Sequence, residues 1–385
     1  MDKVQLSQGG EMGIARSLFS GITLFLLSGL VCASEPAKFP APAFMVRFGE
    51  GFSVSNAHVI SNMPNETNQF GMGMCYSHAA TGVLNYYLCK YDKLDCSKAP
   101  PESLASALDM ARFTSDTGDD EIEYSSSYQG IQEGGSPAKV LQAATILVGN
   151  VASQACFNEK MIFGDLIIED KIASEEEIAR QRKFLSGFSS FYEKYSKSGF
   201  DEASLPESVV NEASLLYQAK DHDLEATRRR IVRSLEEQSF DRFFARFVYP
   251  RECARAKNRV FFEYQNRAEF HYYPVKGQKF TYKGMMREIR NAIDKGNPVV
   301  VGGACLLGLK GKKCPGDLHA LIVYGYATLC DPAGNCYEGL KFQNSFGPKM
   351  QEFERANWFS AKEYYAQSIP SKSDLAWLEI EEKRK

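Results

Sequence analysis

Apolar and polar positions change rhythm twice along this chain. From Cys75 onward, Tyr76, Ala79, Ala80, Val83, Leu84 and Tyr87 recur at i, i+3, i+4 and i+7, the repeat of a helix with one buried face. Helical patterning returns near 101–112 and from Pro137 to about 148, where "EGGS" supplies a tight turn ahead of a proline-initiated helix. A strongly charged stretch follows, about 157–270, with helices expected at about 173–195, 206–219 and 222–247. In the last of these Leu224, Ile231, Leu235, Phe243, Phe244 and Phe247 share one side, and Arg228 to Arg230 belong to the solvated remainder. After residue 282 the texture shifts to one more helix, "MMREIRNAIDKG", then to "NPVVVGGA", "HALIVYGYA" and "YEGLKFQNSF". Those three segments have the β-branched and aromatic content of strands. The pattern predicts an α+β chain, helical first and sheet-rich at its end.

Composition changes this picture little. With 385 residues, 44% hydrophobic and 24% charged, the chain lies in the globular range. A net charge of -3 gives no electrostatic reason to expect nucleic acid or an anionic membrane surface as a partner. The N-terminus does matter: Arg16, the apolar run "LFSGITLFLLSGLV" and the small residues before Ser34 follow the order of a secretory signal peptide, expected over 1–33. No later stretch reaches the ~20 consecutive apolar residues of a membrane span, so none is expected once the signal is removed. A secreted or periplasmic location, in a bacterial envelope, is the expectation.

Ten cysteines are present. Setting aside Cys32 in the signal and Cys75 leaves an even number, as in an oxidising compartment. Sequence proximity suggests Cys89 with Cys96, Cys305 with Cys314, and Cys330 with Cys336 across the turn "DPAGN", leaving Cys156 and Cys253 to bracket the middle of the chain. Spacing alone does not decide among roughly a hundred pairings. There is no CxxC pair and no HExxH run, so neither a metal nor another cofactor is expected.

Amide hydrolysis by a thiol requires an acidic thiol, an imidazole, a group that orients the imidazole and donors for the oxyanion. Cys75 would stand in the first turn of its helix, where unpaired N–H groups and a partial positive charge favour thiolate. Gln69, across a glycine-containing loop, offers a side-chain amide to the oxyanion beside the Cys75 N–H. His319 opens "HALIVYGY" and Asn344 ends "LKFQN", so neighbouring strands can present both at one sheet edge.

Taken in order, these pieces resemble a papain-family cysteine peptidase. "QFGMGMCY" keeps the Gln, the Gly, the Cys and an aromatic; "DLHALIVYGY" resembles the family's His strand, and "FQNSFG" its Asn-Ser-Trp-Gly. "GGSP" at Gly134–Pro137 resembles the glycines that line the substrate cleft, and "IDKGNPVVVGG" a strand entering the barrel-like lobe. The resemblance implies a two-lobed fold, one lobe helical and one an antiparallel β-barrel. It implies Cys75, His319, Asn344 and Gln69 as catalytic residues, and Gly134, Gly135, Pro137, Gly302 and Leu318 as substrate-binding, with an apolar main pocket. The chemistry implied is attack by a Cys75 thiolate, paired with a His319 imidazolium, on a peptide or protein substrate through a thioester.

Several departures stand beside that likeness. Tyr76 and Phe346 replace tryptophans and keep a planar apolar cover. Met72 and Gln132 occupy the places of a family disulfide, and the stretch before Cys75 is too short for the family's large propeptide. His319 and Asn344 also lie much farther from Cys75 than the ~130–150 residues usual in such enzymes. A helical insertion over 157–270 accounts for the difference, and a role in covering or gating the cleft is expected of it.

The expected organisation is therefore 1–33 signal peptide, 34–156 N-terminal segment and helical lobe, 157–270 inserted subdomain and 271–385 β-rich lobe. A catalytically silent binding or scaffold protein, and a thiol amidase acting on cell-wall peptides, are the alternative functions. His78 is read as a packing or solvent-facing residue, His58, His222 and His271 as surface or capping residues, and the Asn65-Glu66-Thr67 acceptor pattern as chance.

Overall fold

The fold is organised around one long strand. A computed structural model describes residues 51–113, 130–167, 174–216, 224–305, 313–314 and 318–381; the expected signal peptide lies outside them. The strands are β1 (Ser53–Val59), β2 (Asn150–Ala152), β3 (Arg259–Phe261), β4 (Ala268–Tyr273), β5 (Val299–Cys305), β6 (Leu318–Cys330), β7 (Cys336–Gln343), β8 (Phe359–Ser360) and β9 (Leu375–Ile380). The nearly continuous apolar run of β6 is buried on both faces, as such runs are when a strand is covered on each side. Its first half pairs with β5, Ala304 facing His319, and its second half pairs along that same edge with β1, Val59 facing Gly325. Along the other edge lies β7, from Ile322 opposite Gln343 to Cys330 opposite Cys336. The seven-stranded antiparallel sheet runs β4-β9-β5-β6-β7-β8, with β1 added on β6. Antiparallel sheet and helices together make the chain α+β.

Helix α1 (Cys75–Asp92) lies against β6. Gly82 permits the approach, since a side chain there would strike the δ-methyl of Ile322. The sequence rhythm promised one buried face, yet 14 of the 18 residues are buried. The helix is central because the sheet covers one side while α2 (Ala107–Ala111) and α3 (Pro137–Gln142) cover others. Ser106 and Ser136 cap these two helices through their hydroxyls.

The charged middle forms α4 (Glu159–Phe163), α5 (Glu175–Tyr195), α6 (Glu207–Leu216), α7 (Leu224–Leu235) and α8 (Phe240–Val248). Ser174 and Glu177 make a capping box at the start of α5. The single helix expected over 222–247 is two, because Ser239 accepts from Arg242 N and begins a new helix. Phe188, Phe191, Phe243 and Phe247 meet in an aromatic core inside this helical body. The chain then returns through α9 (Tyr282–Asp294), α10 (Pro348–Ala356) and α11 (Ala361–Ala366) around the sheet.

Two expected boundaries move. Residues 53–59, within the expected N-terminal segment and helical lobe, supply β1 of the main sheet. The far end of the expected insertion also leaves it: β3 pairs with β2, and β4 pairs with β9. The helical excursion proper lies between Cys156 and Cys253, which are disulfide-bonded. Cys89–Cys96, Cys305–Cys314 and Cys330–Cys336 complete the four bridges anticipated from the sequence. Four disulfides indicate an oxidising environment. Among the described residues no helix is long and apolar enough to cross a membrane.

Candidate active site

Cys75 is the first residue of α1, and no side chain caps that start, so the positive end of the helix is directed at the thiol. The residue is 8% exposed and stands outside the disulfides. Its Sγ lies 3.9 Å from the carbonyl oxygen of Leu318, the residue immediately before His319. The contact of α1 with β6 therefore brings the expected nucleophile and the expected imidazole into one neighbourhood.

His319 Nε2 is 2.6 Å from Asn344 Oδ1. That oxygen also accepts the Ser345 backbone N–H at 2.8 Å, which fixes it as an acceptor, so Nε2 carries the proton and a neutral ring keeps Nδ1 as a base. Phe346 stacks on the imidazole, with centroids 5.2 Å apart and planes 19° from parallel. Burial pushes His319 down to about 4, against the opposing hydrogen bond from Asn344. The surroundings thus favour a neutral ring, where the sequence reading took an imidazolium.

Gln69 is tied twice to Ser345. Its backbone N–H donates to the Ser345 carbonyl at 3.0 Å, and its side-chain Oε1 accepts the Ser345 hydroxyl at 2.6 Å. With the oxygen so engaged, the Gln69 amide presents its NH2 end elsewhere as a donor. The loop from Gln69 to Met74 is walled by the helical excursion: Phe70 meets Phe163 edge-on at 6.1 Å, and Gly71 lies so close to Gln181 that a side-chain carbon there would stand 2.9 Å from its Cβ.

The other residues implied by the resemblance lie on the loop before α3 and on α3, β5 and β6. Gly134 and Gly135 are exposed, and Gly134 N donates to Gly73 O at 2.8 Å. At φ +79°, a side chain on Gly134 would meet nothing within 4 Å. Pro137 begins α3, and its Cδ is 3.5 Å from where a Gly302 Cβ would stand. Gly302 and Gly303 form an irregularity in the β5–β6 pairing, a short way along β5 from Cys305, which pairs with Leu318 at the start of β6. A polar group stands beside Gly302, since a side chain there would run into the carboxyl of Asp374. Ser136 donates to Asp374 Oδ2 at 3.1 Å, and burial raises this carboxyl to about 6.

Sequence reasoning missed Asp374, Ser345 and the surroundings of His78. His78 is buried, with Nδ1 2.6 Å from Thr67 Oγ1 and Nε2 3.3 Å from Glu159. Burial, then the nearby His319, pushes it down to about 3, and burial raises Glu159 to about 7. His78 packs the helix and is held neutral. His58 pairs with Asp294 at 2.7 Å and His271 stacks on Trp377 at 5.1 Å, while His222 lies outside the described residues. No cluster suited to a metal ion occurs among the described residues.

No family model matches the chain, and no curated protein matches it. Among solved structures it is similar to SERA5E from Plasmodium falciparum, at 12% identity and a TM-score of 0.34, covering 84% of this chain and 92% of that one. It is also similar to the SERA5 proenzyme of the same organism, at 10% identity and a TM-score of 0.36, covering 84% of this chain and 64% of that one. Similarity at this level informs neither the fold nor the chemistry of this chain.

Proposed function

We propose that this chain is a papain-like cysteine peptidase working in an oxidising, extracytoplasmic compartment, with 1–33 as its signal peptide. The observation that supports this most is the His319 Nε2 to Asn344 Oδ1 hydrogen bond of 2.6 Å, formed beside a helix-start thiol whose sulfur lies 3.9 Å from the carbonyl of the preceding Leu318. His319 Nδ1 takes the proton of Cys75 as the sulfur bonds to the peptide carbonyl carbon. The oxyanion is held by the Gln69 NH2 and the Cys75 N–H. The imidazolium formed then protonates the leaving nitrogen, the C–N bond breaks, and a thioester remains. Water, losing a proton to His319, attacks the thioester; the C–S bond breaks and the thiol regains its proton. Asn344 keeps the ring in plane throughout.

The direct test is a peptide-library cleavage screen on the secreted chain with Cys75→Ala as control, together with titration by an epoxide inhibitor of papain-like enzymes. Cleavage that disappears in Cys75→Ala supports the reading. A Cys75 that is titrated stoichiometrically while no peptide is cut points instead to a silent binding protein, and cleavage that survives Cys75→Ala refutes the role of the thiol.

A further inference from the structure

Asn344 is held from a direction the triad does not use. Its backbone N–H donates to Glu66 Oε1 at 2.7 Å, and Glu66 is 6% exposed. Glu354, on α10, is 1% exposed and lies within hydrogen-bonding contact of Glu66. Glu66 Oε2 and both Glu354 oxygens are buried without a hydrogen-bond partner of good geometry, although the backbone and side-chain N–H groups of Asn344 lie close enough to Glu354 to favour its ionised form. Two ionised carboxylates in that position would be like charges side by side in a buried, low-dielectric setting. The groups around them do not supply the missing charge. Gln351, on α10, accepts the Glu66 N–H at 3.1 Å, Tyr324 reaches the pair from β6, and Arg355, the cation that acts on it, is exposed. A proton between the two carboxyls gives one oxygen of each a partner and removes one charge, and the other Glu354 oxygen is left to the Asn344 side-chain amide.

We propose that Glu66 and Glu354 share one proton and act as a positioning pair, fixing the main chain of Asn344 and, through it, the plane of His319. The inference rests on the peptidase reading for its catalytic consequence but not for the proton itself. Burial raises both carboxyls, and the neighbouring Glu354 charge raises Glu66 further, while hydrogen bonding with Glu66 and Asn344 works against the rise at Glu354; folding therefore takes up a proton. Stability from this source is present at low pH and is lost as pH rises from the ordinary carboxylate range through the raised values. Glu354→Gln keeps a hydrogen-bond donor and cannot ionise, so it should lose that dependence; Glu354→Ala removes the donor.

Infrared spectra of the whole protein near neutral pH should contain a buried carboxylic-acid carbonyl band that disappears in Glu354→Gln. The Nε2 proton resonance of His319 should persist in Glu354→Gln and broaden in Glu354→Ala. Both readings are independent of turnover. If the chain is a peptidase, kcat in Glu354→Ala should fall by up to about 100-fold, as for a small misplacement of a reacting group, with KM little changed. Glu354→Gln should restore kcat and extend activity to higher pH. No acid band in the wild type, or a His319 resonance indifferent to Glu354→Ala, overturns the pair even if peptides are cleaved. Both signals present without any cleavage leaves the pair standing and removes the peptidase reading.

Discussion

Ser345 donates its hydroxyl to the side-chain oxygen of Gln69 at 2.6 Å while its carbonyl accepts the Gln69 backbone N–H at 3.0 Å. The residue after the imidazole's orienting Asn therefore also orients the proposed oxyanion donor. Ser345→Ala should lower kcat by about five- to tenfold, the weight of one orienting hydrogen bond, with KM nearly constant. Gln69→Ala should cost on the order of 100-fold or more, as for loss of an oxyanion donor. Steady-state kinetics on one peptide checks both, and equal losses in the two variants would separate Ser345 from the role given to it.

Phe346 covers the imidazole whose ordinary value of 6.5 is lowered to about 4. Phe346→Ala lets water reach the ring, so its value should climb back toward 6.5. Because His319 must be neutral to accept the thiol proton, the acid limb of activity should move to higher pH. The pH dependence of inactivation by an epoxide reads this shift; an unmoved limb would mean that another group sets it.

Asp374 stands beside Gly302 with a carboxyl that burial raises to about 6, and on the peptidase reading it faces the substrate side chain bound there. Above that value it is ionised, and a cationic substrate side chain should be preferred there; the preference should fade as pH falls through about 6. Asp374→Leu should turn the selection apolar at every pH. Library profiling at two pH values measures both effects, and an unchanged profile in the variant would remove Asp374 from the pocket.

The Cys156–Cys253 bridge closes a loop of 97 residues in sequence separation. Loss of so long a closure is expected to cost about 5 kcal/mol on the chain-entropy account. The double variant Cys156→Ser, Cys253→Ser should show that drop in urea unfolding, and a loss below about 1 kcal/mol would mean that packing of the helices already restrains the unfolded chain.

Features carried by local pattern were legible in the sequence. The helix from Cys75, the strand from His319 and the short disulfides each announce themselves within a few residues, through periodicity, turn chemistry or proximity. The short pairing segments were not: β1 carries Ser, Asn and His and is exposed along its length, so nothing in its composition marks a strand, and it exists because β6 offers an unpaired edge. Asp374 was illegible for a similar reason. A single acid between Ser373 and Leu375 gains meaning only when the irregularity at Gly302 opens toward it. The shared role of Glu66 and Glu354 likewise depends on elements from opposite ends of the chain meeting at Asn344.

Among the attachments of the helical excursion are a covalent neck at Cys156–Cys253 and a packed face against Phe70 and Gly71. Grafting a short turn across the neck would restore chain continuity but leave the bend between Gln69 and Cys75 without its outer wall. Anyone paring this protein down to its sheet and central helix must therefore rebuild that wall to keep the Gln69–Cys75 bend in shape.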